Sequence, residues 1–466
     1  MSPSVLTAGV ARATVNPPLT LEQGVWGAKA HVTPRGLESD FWVTCLVLSE
    51  GPVTSVLLDL DLCTIPNSRA DRIRDDVAAA LGIRREAVRV SVTHTHAGPV
   101  LRADHYTVNP GGDENYITYL REHCVGTALQ AARERVPVRV SANQGHCTMA
   151  RSRRQRLEDG LVVAGYDPEG TADPTVSVVR FDDLDGRLVA SIVHYAAHPT
   201  TLGYTNDLLS PDYPGVTKRF VEATVGGTCL FLQGAAGDVG PGPGGFLSNL
   251  DVVHSIGTQL GCAASQALLE AGEQRFDYAF STVVRSGADL GVWSRTTRPV
   301  PETPLLVASV PVPLPLQEQP PPAMVQQRSE ELFALLEELR RTGAPEDEVH
   351  DVAFRLRRSN MALQRSREFH GRATYDLEVH LTVIGDVVLI GLPVEPFCEI
   401  GMAVRARSPF RHTLLSGYSN GANGYLPTPA AAAVGGYEVD QMAFAHHSAD
   451  LLTERVLELL DELAAH

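Results

Sequence analysis

Three histidines lie where the sequence could build a metal site, and two of them are almost adjacent. His94 and His96 are separated by one residue in VSVTHTHAGP, directly after a run of apolar, β-branched residues. If the strand predicted from that run includes both histidines, its two-residue period sends both imidazoles to one side. Converging ring nitrogens are what zinc or another borderline metal requires. The pair is equally compatible with hydrogen-bonded histidines of the core.

A third candidate ligand follows a second apolar run. In ASIVHYAAHPTTLG, His194 falls within the predicted strand, and His198 lies just beyond it, before Pro199 begins a loop. Open α/β sheets place their sites at the carboxyl ends of strands, which favours His198 as the ligand. His194 is as compatible with packing or with a supporting hydrogen bond. Three imidazoles with one open position form a ligand set of catalytic zinc.

Three carboxylates occupy similar positions after other predicted strands. Asp61 comes directly after residues 53–60 of a predicted strand, Asp238 lies in the loop GAAGDVGPGPGG, and Glu395 lies in IGLPVEP. The structural alternative for both aspartates is a cap or a turn. The structural alternative for Glu395 is a role at a helix N-terminus, where the helix dipole stabilises a carboxylate. The glycine-rich loop lacks both common phosphate-binding patterns, which argues against a nucleotide site.

Composition narrows the class of partner. The 466 residues carry a formal net charge of -16 with a pI near 5.4, which disfavours nucleic acid and anionic membranes. The seven cysteines are scattered without a CxxC pair, as expected for reduced thiols in a cytoplasmic protein. No export signal and no apolar stretch of about 18 residues is evident, so no membrane insertion is predicted. A small-molecule or acylated substrate is the expected partner.

The elements that position these residues alternate between strand and helix patterns. This alternation predicts an α/β fold in which central sheets are covered by helices, as a single domain over residues 1–466. Buried strands are predicted at 53–62, 87–93, 188–195 and 228–232. Covering helices are predicted at 67–80, 113–135 and 249–271. The last quarter predicts a hairpin at 376–392, a helix from about 397, a strand at 413–415 and a terminal helix at 440–463.

Residues 297–371 form a predicted insertion within that domain. The proline-rich part, 297–322, is restricted to an edge strand or an extended linker. The charged part, 324–371, is broken by a Gly-Ala-Pro turn and predicts a hairpin of two long helices. We expect this hairpin to cover the pocket or to mediate homo-oligomerisation.

Several segments together resemble successive motifs of the neutral ceramidase family, in the family's order and over nearly the whole chain. They are GVARATVNP, VSVTHTHAGP, HYAAHPTTLG with LLSPDYPG, QGAAGDVGP, GLPVEPF and GYSNGANGYLPT. The resemblance suggests two stacked sheets and implies a zinc site built from His94, His96 and His198, completed by Glu395 and Tyr425. Three residues match positions that line the family's pocket, namely Asp61, Arg151 and Tyr437.

The chemistry that the resemblance implies is hydrolysis of an amide. Zinc polarises the carbonyl and activates the attacking water. Arg151 or Tyr437 would stabilise the oxyanion or orient the substrate, while Asp238, Tyr437 or a neighbouring histidine would carry protons. The same centre could attack an ester or a lactone. A metal-binding scaffold without catalysis is the alternative from another functional class.

Three departures separate this chain from the family pattern. Gly240 stands where the family's pattern has a serine, in GDVGP. The β-sandwich domain that the family carries after its catalytic domain has no counterpart after the predicted terminal helix. The helical hairpin at 324–371 has no match in the pattern either. We therefore expect a small soluble amide or ester, such as an N-acylated metabolite, rather than ceramide in a membrane.

Overall fold

The computed structural model describes residues 5–24, 26, 32–101, 113–243 and 245–465. Its strands are β1 (Thr7–Thr14), β2 (Gly36–Leu37), β3 (Trp42–Glu50), β4 (Val53–Leu60), β5 (Val88–Val92), β6 (Val136–His146), β7 (Ala150–Arg156), β8 (Val162–Asp167), β9 (Thr175–Asp183), β10 (Leu188–Tyr195), β11 (Leu208–Leu209), β12 (Thr228–Gln233), β13 (Val239–Pro241), β14 (Phe276–Arg285), β15 (Asp289–Thr297), β16 (Leu305–Pro315), β17 (Thr374–Ile384), β18 (Val387–Gly391), β19 (Glu395–Pro396), β20 (His412–Ser416) and β21 (Tyr425–Leu426). Its helices are α1 (Asn67–Leu81), α2 (Glu114–Arg133), α3 (Asp212–Val225), α4 (Leu250–Glu273), α5 (Pro322–Thr342), α6 (Glu346–Phe369), α7 (Cys398–Arg407), α8 (Pro429–Val434), α9 (Tyr437–Asp440) and α10 (Ser448–Ala464).

Two sheets stack face to face at the centre. The larger sheet has the strand order β12-β10-β9-β6-β1-β3-β4-β5, and the smaller has the order β16-β17-β18-β20. Both are mixed, since β10 and β12, β4 and β5, and β18 and β20 are parallel pairs. Side chains of both sheets share one apolar core, among them Leu57, Ile192, Leu389 and Leu414. The expected pair of stacked sheets is therefore confirmed.

Helices cover the outer faces of both sheets. Because side chains alternate along a strand, Ile192 of β10 faces the other sheet while Val193 faces outward. Helices α1 and α2 cover one half of the larger sheet, and α3 and α4 cover the other half. Helices α7 and α10 cover the smaller sheet. The result is a helix–sheet–sheet–helix arrangement, which confirms the predicted α/β class.

The predicted elements agree with the structure, with boundary shifts that matter for the site. Strand β10 has the predicted bounds, but β5 ends at Val92, before either candidate histidine. The terminal helix α10 begins at Ser448, later than the predicted start at 440, where the short α9 ends instead. Helix α3 was not predicted. Its first turn, DYPG, contains a proline and a glycine, which suggest a turn when only the sequence is considered.

The inserted segment forms the predicted edge strand and helical hairpin. Strand β16 pairs with β17 at the edge of the smaller sheet, and α5 and α6 lie between them in the chain. Gly343 ends α5 with a φ of 68°, a left-handed conformation that suits glycine. The helices pack on each other through a small apolar cluster that includes Leu332, Leu336 and Val352.

A second hairpin, β14–β15, projects from the body, and its strands pair with no other described strand. Its aromatic side chains are largely exposed, Trp293 at 62%. No helix in the described part of the chain combines the length and apolar character needed to cross a bilayer. All seven cysteines are free thiols, and six of them are buried.

Candidate metal centre

The three histidines predicted as metal ligands converge in one place. The Nε2 atom of His94 lies 3.0 Å from Nε2 of His198 and 3.3 Å from Nε2 of His96. The rings of His94 and His198 are nearly perpendicular, at 84°. His94 and His198 are 4% and 0% exposed, so these nitrogens meet inside the protein. The structure thus brings together imidazoles from two distant parts of the sequence.

Hydrogen bonds at the far side of two rings fix which nitrogen faces the centre. Nδ1 of His94 donates to the carbonyl of Cys63 at 2.6 Å, and Nδ1 of His198 donates to the carbonyl of Ala236 at 2.7 Å. A neutral imidazole with a proton on Nδ1 carries a lone pair on Nε2. Burial lowers the pKa of His198 well below its usual value, and Arg153 lowers it further. The inward-facing nitrogen of His198 is therefore suited to ligate a cation. Burial alone would lower the pKa of His94, but Cys63 and Glu395 raise it to about 10, so a cation would have to displace the proton on its Nε2.

Glu395 completes the cluster with a carboxylate. Its Oε2 lies 3.5 Å from Nε2 of His94 and 3.4 Å from Nε2 of His198. Burial alone would raise the pKa of Glu395, but His94 and Arg153 lower it below its usual value, so the group is ionised. No hydrogen-bond donor among the described residues serves Oε2. A cation at the centre would satisfy this buried oxygen.

The spacing of these atoms fits a metal ion. Tetrahedral zinc with Zn–N bonds of about 2.0–2.1 Å has ligand atoms about 3.4 Å apart. The separations among His94, His198 and Glu395, and between His94 and His96, are 3.0 to 3.5 Å and match that value. The possible ligands form two groups that share His94, one with His198 and Glu395 and the other with Cys63 and His96. The Cys63 thiol is 3.8 Å from Nδ1 of His94, a nitrogen already used by a carbonyl, so the group containing Glu395 is the better site.

A strained turn, rather than a strand, aims the first two histidines. Because β5 ends at Val92, the two-residue strand period that we assumed for His94 and His96 does not apply. Instead His94 has a φ of 70°, in the left-handed region that residues with a Cβ rarely adopt. The Tyr418 ring packs 4.1 Å from the His94 ring and helps to hold it. Strain of this kind persists where the surroundings enforce it, and it is frequent at functional sites.

His198 and His194 have different roles, as their positions relative to β10 suggested. His198 follows the strand, and its backbone N–H donates to the carbonyl of Val239. His194 lies within the strand, and its Nε2 bonds to the carbonyl of Leu415 at 2.8 Å, across the two sheets. Burial lowers the pKa of His194 to about 4, so this imidazole is neutral. His194 is a packing residue.

Tyr425 lies beside the cluster and connects it to a buried arginine. The two short strands β19 and β21 pair Glu395 with Tyr425 in parallel register. The Tyr425 hydroxyl accepts a hydrogen bond from Nη2 of Arg153 at 3.1 Å. Burial raises the pKa of Tyr425 well above its usual value, and Glu395 raises it further, so the phenol keeps its proton. Whether Tyr425 joins the metal's ligands stays a prediction.

Arg153, which the sequence analysis did not name, lies buried next to the cluster. Its Nε donates to Glu438 at 3.0 Å, and both side chains are more than 90% buried. Burial would lower the pKa of Arg153, but Tyr425 and Glu438 raise it far above its usual value. Arg151, the predicted residue, donates from Nη1 to the backbone carbonyls of Thr148 and Ala150 and does not line the pocket. The segment MARSRR offers several arginines, and their spacing alone did not distinguish them.

The other predicted site residues are divided between the pocket and the structural core. Tyr437 lines the pocket, with its ring 5.7 Å from that of Tyr425. Asp61 does not line it. This carboxylate is fully buried, 2.7 Å from Nζ of Lys218, and it accepts the backbone N–H of Trp42. The structure therefore gives Asp61 a buried ion pair in place of the predicted site position.

Asp238 also has a structural environment. Its Oδ1 accepts the backbone N–H of Cys398 at 2.7 Å, at the first residue of α7. A carboxylate there stabilises the helix N-terminus, which was the structural alternative. Burial raises the pKa of Asp238 to about 7. Asp238 is not among the residues that line the pocket, and its role as a proton carrier stays a prediction.

Gly240, where the family's pattern has a serine, lies close to the third histidine. A Cβ atom on Gly240 would be 3.7 Å from Oγ1 of Thr200 and 4.0 Å from Cβ of His198. These are ordinary van der Waals distances, and the φ of Gly240 is not positive. The backbone therefore has room for a side chain beside the metal ligands, although the sequence provides none.

The candidate ligands border a pocket of about 130 Å³ whose far wall is the inserted hairpin. His94, His96 and Glu395 lie at one side. Helix α6 contributes Met361, Gln364, Arg365, Glu368 and Phe369, and the loop with the short helix α9 contributes Asn423, Gly424, Tyr437 and Gln441. The hairpin thus covers part of the pocket, which was one of the two roles that we expected for it.

Comparison with known proteins identifies relatives of this chain. A family model described as neutral/alkaline non-lysosomal ceramidase, N-terminal, matches residues 8–273. The chain is 26% identical over 383 residues to the neutral ceramidase of Pseudomonas aeruginosa, covering 75% of this chain and 55% of that protein. It is 25% identical over 208 residues to neutral ceramidase A of Dictyostelium discoideum, covering 40% and 29%. The chain thus spans about half or less of the length of these relatives.

Solved structures show the same fold. The crystal structure of the neutral ceramidase from Pseudomonas aeruginosa aligns with a TM-score of 0.69 at 19% identity, covering 98% of this chain and 74% of that one. A ceramidase complexed with C2 aligns with a TM-score of 0.66 at 19% identity, covering 98% and 75%. Because the family model matches more than half of the sequence, this chain belongs to the neutral/alkaline non-lysosomal ceramidase family.

Proposed function

We propose that this chain is a zinc-dependent hydrolase that cleaves an amide bond of a small N-acylated substrate. The observation that carries the proposal is the meeting of His94, His198 and the ionised Glu395, whose Nε2 and Oε2 atoms lie 3.0 to 3.5 Å apart, with Nε2 of His96 3.3 Å from Nε2 of His94. Two of the three rings are held by backbone carbonyls at Nδ1, which leaves their lone pairs directed inward. Such bonds to the outer nitrogen orient metal-ligating histidines and make them better ligands.

A bound zinc ion would supply Lewis-acid polarisation of the amide carbonyl and would make water acidic enough to attack it near neutral pH. The chain's own residues would then orient the substrate and stabilise charge. Arg153 is a positioning residue, since it acts through its hydrogen bond to the Tyr425 hydroxyl and its ion pair with Glu438. Because Tyr425 accepts from Arg153, its own proton is available to Glu395 or to the substrate. Tyr437 lines the same pocket and offers a second phenol.

The pocket favours a small, polar amide over a long-chain lipid. Both curated relatives are named neutral ceramidases, and ceramide is also an N-acyl amide. The volume of about 130 Å³ is, however, partly enclosed by the inserted hairpin. Amide side chains of Gln364, Asn423 and Gln441 in its wall match substrate groups that form hydrogen bonds. We therefore propose that the substrate is an amide formed between a short acyl chain and a polar amine.

Metal analysis combined with a substrate panel tests this proposal. The purified protein, His198→Ala and the control His254→Ala are loaded with zinc, dialysed and analysed for bound metal by mass spectrometry. His254 lies on α4 and is exposed, so its loss leaves the site intact. We expect about one zinc per chain in the wild type and the control, and a loss in His198→Ala. Thermal unfolding of each variant establishes whether it is folded. If His198→Ala is unfolded, His96→Ala is tested in its place.

Hydrolysis is measured on matched short-chain amides and esters, with and without chelator. We expect amide cleavage that requires metal and that His198→Ala abolishes. Cleavage of esters but not amides would indicate that the chain is an esterase or lactonase that uses the same centre. Zinc retention without hydrolysis of any acyl compound would contradict the enzymatic proposal and would support a metal-binding scaffold. Absence of bound zinc would refute the metal site itself.

A further inference from the structure

Helix α6 of the inserted hairpin places one arginine in the wall of the pocket that contains the metal ligands. Arg365 lines this pocket together with His94, His96 and Glu395. Its Nη1 donates to the side-chain oxygen of Gln441, a neutral group. Among the described residues no carboxylate lies within 4.0 Å of its guanidinium, the distance for an ion pair. Arg365 is therefore a half-buried cation without an ion-pair partner among the described residues, and Asp440 acts on its charge only from beyond that distance.

Three arginines near the pocket form ion pairs, which distinguishes Arg365 from them. Arg358, two turns earlier on α6, forms an ion pair with Asp440. Arg153 and Arg154 both form ion pairs with Glu438. A guanidinium has five N–H donors in a planar fork that matches a carboxylate. In Arg365 most of those donors are available to a ligand.

Desolvation adds to the cost of this unpaired charge. Burial and the charge of Arg358 lower the pKa of Arg365, Tyr437 and Asp440 oppose them, and the result is a pKa of about 10. The side chain is still protonated at pH 7. A partly buried cation beside a pocket gains more from an incoming anion than an exposed one does, because the local dielectric is low. Glu368 also lines the pocket, but its Oε1 already accepts a hydrogen bond from Nδ2 of Asn67.

We infer that Arg365 binds a carboxylate of the substrate, so that the preferred substrates are N-acyl amino acids or similar amides with an anionic group. This inference rests on the proposed function, since it names the substrate class of that same pocket. The metal ligands would face the amide carbonyl while the guanidinium holds the carboxylate by two parallel hydrogen bonds. Arg365 thereby becomes the residue that determines specificity, and it comes from the insertion rather than from the two-sheet body.

Two probes that differ only in charge test the inference, namely N-hexanoylglycine and its neutral carboxamide, N-hexanoylglycinamide. Binding to the zinc-loaded protein is measured by calorimetry, and hydrolysis of both is followed in parallel. Charge-assisted hydrogen bonds make us expect the carboxylate to bind at least about tenfold more tightly. Arg365→Gln should remove this preference. Arg367→Gln is the matched control, because Arg367 is exposed on the same helix and contacts Gln326 outside the pocket.

Each outcome separates this inference from the proposed function. A carboxylate preference that Arg365→Gln removes, without hydrolysis of either probe, would support the inference and contradict the hydrolase. Hydrolysis of both probes at equal kcat/KM would support the hydrolase and contradict the inference. Equal or undetectable binding of the two probes, or a preference that survives in Arg365→Gln, would overturn the inference. If thermal unfolding shows that Arg365→Gln is not folded, Arg365→Lys replaces it. The lysine keeps the charge but lacks the planar set of donors, so it should weaken the preference.

Discussion

Replacing Arg153 with methionine tests whether the buried ion pair beside the metal site supports both stability and metal binding. Nε of Arg153 lies 3.0 Å from Glu438, and the two side chains are 7% and 2% exposed, so solvent screens their interaction little. Removing one partner of such a pair costs about 3–5 kcal/mol, because the other charge stays buried. Arg154 remains 2.7 Å from Glu438 and retains part of the interaction. We therefore expect the free energy of unfolding to fall by about 3 kcal/mol.

Urea-induced unfolding, followed by fluorescence at pH 7, measures this loss, and Arg151→Met is the control. Arg151 lies two residues earlier in the same strand and donates only to backbone carbonyls, so we expect a cost below about 1 kcal/mol. Because Arg153 also holds the Tyr425 hydroxyl, Arg153→Met should weaken zinc binding by about 10-fold to 100-fold. The double variant with Glu438→Gln should cost less than the sum of the single changes. Equal stability of the two methionine variants would refute this reasoning.

Three further predictions concern the backbone and the buried histidine. Gly240→Ser should change the unfolding temperature little, since a Cβ there meets nothing closer than 3.7 Å, and thermal unfolding checks this. Gly9→Ala should lower the free energy of unfolding in urea by about 2 kcal/mol or more, because its Cβ would collide with the carbonyl oxygen of Ala131 in α2. A stable Gly9→Ala protein would contradict the close approach of α2 to β1. His194 has a folded pKa of about 4, and in the unfolded chain its pKa is about 6.5. The unfolded state therefore binds the proton first, and stability should fall as pH decreases from 7 to 4. His194→Gln should flatten that dependence in urea midpoints measured across this range.

The sequence predicted many of the elements and the positions of the candidate ligand histidines after strands, because these signals are local. A buried strand followed by a polar loop is evident around His198, and the structure gives β10 its predicted bounds. The helical hairpin was predicted from its charge pattern and its Gly-Ala-Pro turn. The stacking of the two sheets came from the family resemblance, since two-residue periodicity shows which side chains share a face but not what that face contacts.

The residues that sequence reasoning misplaced depend on contacts between distant segments. His94 and His96 were placed on a strand, whereas a positive φ at His94 sets their direction. Arg153 and Arg151 have the same type and almost the same position, and only the folded chain shows that Arg153 meets Glu438, 285 residues later. Asp61 follows a strand as predicted, but Lys218 of the unpredicted helix α3 occupies its carboxylate. Cytoplasmic location and an oligomer formed through the helical hairpin remain predictions.

The way in which α5 and α6 join the smaller sheet has an evolutionary consequence. Pro315 at the end of β16 is paired with Thr374 at the start of β17, so the chain leaves the sheet and returns to it at one point. The length and sequence of the intervening segment can therefore vary without altering strand register or the loops that bear His198 and Glu395. Relatives with a different segment here would catalyse the same reaction on different substrates. Grafting a different insert between these two positions is accordingly a practical route to new selectivity.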